Sequence, residues 1–111
     1  MKKERALAVE ETSNVRKPYI FRVYVTGASP NSSRAITNLR AFFEKYLSNR
    51  YELQIIDVYQ QPMIAKTEQI VALPLLMKLF PLPVKRLIGN MSDTHKVKKG
   101  LDLHEINLVD D

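Results

Sequence analysis

The 111-residue chain reads as one α/β domain. A run of aromatic and β-branched residues, an amphipathic stripe and a second apolar run follow one another between residues 19 and 59, the order of a βαβ unit. The second half is dominated by an apolar segment, Leu73 to Gly89, carrying Pro74, Pro81 and Pro83. That segment is too short and too broken by proline to span a bilayer, which needs about 20 mostly apolar residues. It reads as buried backbone whose shape is set by proline.

Residues 1–17 are polar and charged without sustained periodicity, and are expected to form a flexible charged arm. Pro18 opens the domain, taken as residues 18–107, and residues 108–111 form a short acidic tail. Tyr19 to Val25 predicts a central strand, because polar residues are scarce on both of its faces. Thr26 to Ser32 is a loop turning into a helix cap. From Ser33, Ile36, Leu39, Phe43 and Leu47 recur at three- and four-residue steps and predict an amphipathic helix closed by Ser48-Asn49-Arg50. Tyr51 to Tyr59 is the second strand, parallel to the first through a right-handed crossover.

After Pro62, a short helix is expected over Met63 to Ala72. The Pro-rich segment then admits two forms. Leu75 to Phe80 and Val84 to Ile88 make a hairpin across Pro81-Leu82-Pro83, or Pro74 and Pro83 each begin a helix. The C-terminus has a matching duality. Ser92 can cap a helix running to Leu101, or Leu101 and Leu103 alternate with Asp102 and His104 as a strand. The helix–helix–strand form is preferred: Leu73, Met77 and Lys78 favour helix, and Gly100 inside a helix costs about 1 kcal/mol against alanine.

Composition excludes several chemistries. With no cysteine there is no disulfide, thiolate metal site or cysteine nucleophile. His95 and His104 stand at no usual zinc spacing, so no metal is expected. Gly27 to Ser33 lacks the glycine pattern of a phosphate loop, so no nucleotide cofactor is expected. Asp57 in its apolar strand is read as a satisfied strand-end residue, not a catalytic one. No other acidic pair has a spacing that compels acid–base work. No apolar leader follows the charged N-terminus, so the expected compartment is the cytoplasm, with no membrane partner.

The net charge of +5 is unevenly placed: Lys85, Arg86, Lys96, Lys98 and Lys99 face Asp93 alone between residues 85 and 99. A basic patch suits an acidic protein face or nucleic acid. The aromatics fall mostly in the core strand and helix, which makes nucleic acid the weaker alternative.

Ala28-Ser29-Pro30-Asn31 stands where thioredoxins carry Cys-x-Pro-Cys, with Leu73-Pro74 as the later proline, but without sulfur there is no thiol exchange. Four stretches together resemble the KaiB family. They are Tyr19 to Ser32 with Arg34-Ala35, Ile56-Asp57-Val58 with Pro62, Ala72-Leu73-Pro74 to Gly89, and Lys96-Val97 with Gly100 to Leu103. The resemblance covers roughly residues 18 to 104. It implies a non-catalytic clock protein with a thioredoxin-like relationship, no cofactor, and a KaiC-like ATPase and autokinase ring as partner. It also implies two forms: a resting homotetramer (or dimer) whose second half is βααβ, and a partner-binding monomer whose second half is ββα. By position, Tyr19, Pro62, Pro74, Gly100 and Asp102 match residues that govern the balance between those forms, and Arg34, Lys85 and Arg86 match basic positions at the partner face. The chain departs from the family pattern with Leu73 for threonine, Asn90 for aspartate, Glu105 for tyrosine, and Gln60 and Gln69 for basic residues. A stress-response paralogue that no longer engages the ring is the alternative within the family, and a ring-docking sensor module is the alternative within the fold.

Overall fold

A computed structural model describes residues 18–108 other than Ala28 and Val71. The expected flexible arm lies outside the described residues, as does the acidic tail beyond Leu108. The elements run β1 (Tyr19–Val25), α1 (Pro30–Tyr46), β2 (Tyr51–Asp57), α2 (Pro62–Thr67), β3 (Leu75–Phe80), β4 (Lys85–Ile88) and α3 (Thr94–Gly100). They form one four-stranded sheet in the order β2-β1-β3-β4.

Alternation along β1 sends its side chains to both faces, and both are covered. Tyr19, Phe21, Val23 and Val25 meet Ala35, Leu39, Phe42 and Phe43 of α1, with Val97, Leu101, Leu103 and Ile106 completing the same core. The Phe21 and Phe43 rings stack with centroids 4.0 Å apart. On the opposite face Tyr24 packs with Leu75, Met77 and Val58 under the half-buried Ile64 and Ala65 of α2. β1 pairs in parallel with β2, Tyr19 opposite Tyr51, as the βαβ reading requires.

Helix α1 begins earlier than the stripe from Ser33 suggests. Ser29 is its N-cap, with Oγ accepting from the Ser32 amide, and Pro30 occupies the first turn, where a missing N–H costs nothing. Strand β2 stops at Asp57, and α2 is shorter than the expected Met63–Ala72 helix.

The C-terminal half is ββα, so the preferred βααβ form is not the arrangement found. Leu75, Leu76, Met77 and Lys78 are four successive buried residues, and a strand covered on both faces accommodates such a run. Antiparallel pairing with β1 on one side and β4 on the other then satisfies the backbone of β3 on both edges, which outweighs the helix propensity of Met77 and Lys78. Gly100 does not interrupt a helix, because it is the last residue of α3. Asp93, not Ser92, caps that helix, its Oδ1 accepting from the Lys96 amide at 3.1 Å. Leu101 and Leu103 are buried in a turn and not in a strand. Leu73-Pro74, Phe80-Pro81 and Leu82-Pro83 are cis peptides.

Candidate functional site

The β1–α1 loop, where related folds place redox thiols, is a hydroxyl-bonded cap. The Thr26 amide donates to Ser32 Oγ at 3.1 Å, and Ser29 and Ser32 hydroxyls lie 2.8 Å apart. Asp57 Oδ1 accepts from the amides of Gly27 (3.2 Å) and Tyr59 (2.9 Å). The carboxylate therefore ties the ends of β1 and β2 together, the structural role expected of it.

Of the predicted residues, the structure gathers Tyr19, Gly100 and Asp102 around the exit of α3. The Tyr19 hydroxyl donates to Glu105 Oε2, and Arg50 Nη2 holds Glu105 Oε1 at 2.8 Å. Arg50 also lies over the Tyr19 ring, 5.7 Å from its centroid. Burial, then the hydrogen bond and charge of Glu105, push the Tyr19 phenol up to about 12, against a smaller opposing effect of Arg50. Asp102 adopts φ 55°, a left-handed conformation that aspartate tolerates better than most residues. Its carboxylate lies 3.4 Å from Lys85 Nζ and 3.5 Å from His104 Nε2. Gly100 faces Leu87 of β4. The turn after α3 thus clasps both the start of β1 and the start of β4.

Pro62 and Pro74 lie elsewhere. Pro62 opens α2 and is exposed, whereas Pro74 is buried ahead of β3, its carbonyl accepting from the Gly89 amide at 3.1 Å.

The three basic residues do not share one surface. Lys85 and Arg86 are successive in β4 and so point to opposite faces. Lys85 turns to the α3 side and Asp102, while Arg86 turns to α2, where it donates to the main-chain oxygens of Glu68 (2.8 Å) and Gln69 (3.5 Å). Arg34 is exposed in the first turns of α1, donating to Asn31 Oδ1 at 3.2 Å, beyond the C-terminal end of β1. Lys85 is level with Lys78 and, through it, with Phe21 near the start of β1, at the other end of the sheet.

Sequence reasoning assigned no site role to Arg50 or Lys78, and marked Glu105 only as a departure from the family pattern. Lys78 left a signal of its own, a single cation inside the apolar run Leu75 to Phe80. Among the described residues, no group of three His, Asp or Glu side chains could hold a metal ion, and no helix is long and apolar enough to cross a membrane.

Sheet order, helix placement and the capped β1–α1 loop define a thioredoxin-like α/β domain without its thiols. The solved N-terminal domain of Synechococcus elongatus SasA superposes with a TM-score of 0.66 at 19% identity, covering 96% of this chain and all of that one. Fasciola hepatica thioredoxin superposes at 0.63 with 14% identity, over 80% and 83% of the two chains. The KaiB domain profile matches residues 22–103, and the chain belongs to the KaiB family. It is 47% identical over 90 residues to the circadian clock oscillator protein KaiB of Prochlorococcus marinus strain NATL2A, covering 81% of this chain and 84% of that one. With the protein of the same name from Synechococcus sp. strain RCC307 the identity is 46%, over 86% and 87%.

Proposed function

We propose that this protein is a non-catalytic, clock-type regulator that docks on a KaiC-like ATPase and autokinase ring and modulates its phosphorylation state. The observation that carries this reading is family membership across residues 22–103, with relatives named as clock oscillator proteins. Absence of catalysis is supported by the chemistry at the thioredoxin-like centre, where Ser29-Pro30-Asn31 stands and no thiolate can attack. The ββα second half is, by the family resemblance, the partner-binding arrangement. Exchange with a self-associated βααβ form belongs to the same proposal, as does residence in the cytoplasm. Arg34, Lys85 and Arg86 contribute to a net charge of +5, which would favour encounter with an acidic ring surface.

The deciding experiment is co-elution with a KaiC-like hexamer in each phosphorylation state, with and without an ATP analogue. Binding that slows autophosphorylation, and that weakens with Lys85→Glu, is the expected result. Failure to bind in every state overturns the reading, and salt-sensitive binding to random oligonucleotides would put a nucleic-acid partner in its place.

A further inference from the structure

Lys78 has no role in the reading above. It sits in β3 between Phe21 and Lys85 and is 2% exposed. Among the described residues no carboxylate lies within ion-pair distance of its ammonium, and no hydrogen bond reaches it. The side chain lines a cleft between the Pro81-Leu82-Pro83 loop and the turn carrying Asp102 and Glu105.

The surrounding charges are already matched. Asp102 is shared between Lys85 and His104, and Glu105 is held by Arg50 and the Tyr19 hydroxyl. One positive charge, that of Lys78, remains without a counter-charge. The ammonium opens on the cleft but is partly desolvated there: desolvation pulls its pKa below the ordinary lysine value, Lys85 adds to that effect, and Asp102 offsets only part of it. An arriving anion would relieve the imbalance.

We propose that this cleft is a carboxylate-binding subsite, taking one Asp or Glu side chain of an acidic peptide segment against Lys78. A single negative charge balances the one unmatched cation. Asp102 and Glu105 line the same cleft and repel any anion, but a phosphate dianion with its second charge is repelled about twice as strongly as a carboxylate. The walls suit the methylenes of an acidic side chain and an apolar neighbour, since Leu82 is 73% exposed between two prolines. The subsite stands whether or not the ring ATPase is the partner, so its failure and the failure of that reading are separate results.

The test is a titration of the intact protein followed at the Lys78 Cε and Nζ resonances, with propionate as probe and chloride and inorganic phosphate at matched ionic strength as controls. Propionate is expected to give a saturable shift and to raise the Lys78 titration midpoint. Chloride is expected to do neither, and phosphate to act more weakly. Of two blocked tripeptides, Leu-Glu-Leu is expected to bind about tenfold tighter than Leu-Gln-Leu, the loss of one charged contact. Lys78→Met, its fold verified by the amide spectrum, should abolish the difference. Lys78 signals unmoved by propionate, tighter binding of phosphate, or equal affinity for the two peptides would each overturn the proposal. The wild-type titration decides the matter even if the variant does not fold.

Discussion

Gly100 ends α3 directly against Leu87 of β4, so that a Cβ on the glycine would stand 3.0 Å from Leu87 Cδ1. Helix and edge strand meet here as closely as a residue without a side chain allows. Leu87 is only half-buried, so its methyl can turn aside by the few tenths of an ångström that alanine needs. Gly100→Ala should therefore keep the fold and stabilise it by only a few tenths of a kcal/mol, since the cost of glycine inside a helix, about 1 kcal/mol, is not met in full at the last helical residue. Gly100→Val should destabilise by about 1–3 kcal/mol by overpacking. Urea denaturation of the two variants checks the sign of each.

The Tyr19–Glu105 pair gives stability a pH dependence. The phenol is raised to about 12 when folded, against an ordinary value of 10. Above pH 10 the unfolded chain loses its proton while the folded chain keeps it, so the stabilisation is complete below pH 10 and is lost as the pH rises toward 12. Stability should fall within that window by at most about 1.4 kcal/mol per pH unit from this group, less where solvent screens the half-exposed Glu105. Tyr19→Phe should be less stable at pH 8 and should lack this component of the alkaline loss, as read from denaturation midpoints at pH 8, 10 and 11.

Lys78 acts in the opposite direction. Its pKa is lowered by burial, so its penalty is fully present below the folded-state value and fades as the pH rises toward the ordinary lysine value of 10.5. Lys78→Met removes the buried charge with similar volume, and should raise the urea midpoint at pH 7 by more than at pH 10.5. An equal gain at both pH values would mean that the ammonium is not penalised in the fold.

Arg86 should act on α2 before it acts on any partner. Its two hydrogen bonds to the carbonyls of Glu68 and Gln69 hold the end of a helix that buries none of its residues fully. In Arg86→Ala, amide exchange at Glu68, Gln69 and Ile70 should accelerate by about two- to tenfold, while core amides of β1 are unchanged. Arg86→Lys, which keeps the charge but loses the planar fork, should resemble alanine in this measurement.

The first half of the molecule was legible because its periodicities are clean. Tyr19 to Val25 and the Ile36–Leu39–Phe43–Leu47 stripe each fit one structure only. In the second half Leu75 to Lys78 are all buried, and a continuous apolar run looks the same whether it becomes a buried strand or a buried helix. Pairing with β1 decided it, and that pairing is invisible locally. Gly100 misled for a related reason, since its cost depends on whether it lies within a helix or at its end. The basic residues were visible as charges, but the pleat that sends Lys85 to Asp102 and Arg86 to α2 follows from β4 being a strand. Glu105 reaches Tyr19 and Arg50 across the fold, and no local pattern announces such a contact.

The position of β1 bears on how the chain is assembled as it is made. Among the described residues, the first strand in chain order is the middle of the finished sheet, with β2 from Tyr51 onward on one side and β3 from Leu75 onward on the other. As the chain leaves the ribosome, β1 and α1 emerge before either strand that β1 pairs with, and the second seam closes only when Phe80 has appeared. Nascent Tyr19 to Val25, apolar and strand-prone, is thus the stretch most in need of shielding during translation. Ribosome-stalled chains ending before β3 should bind a holdase there, and chains ending after the turn at Glu105 should release it.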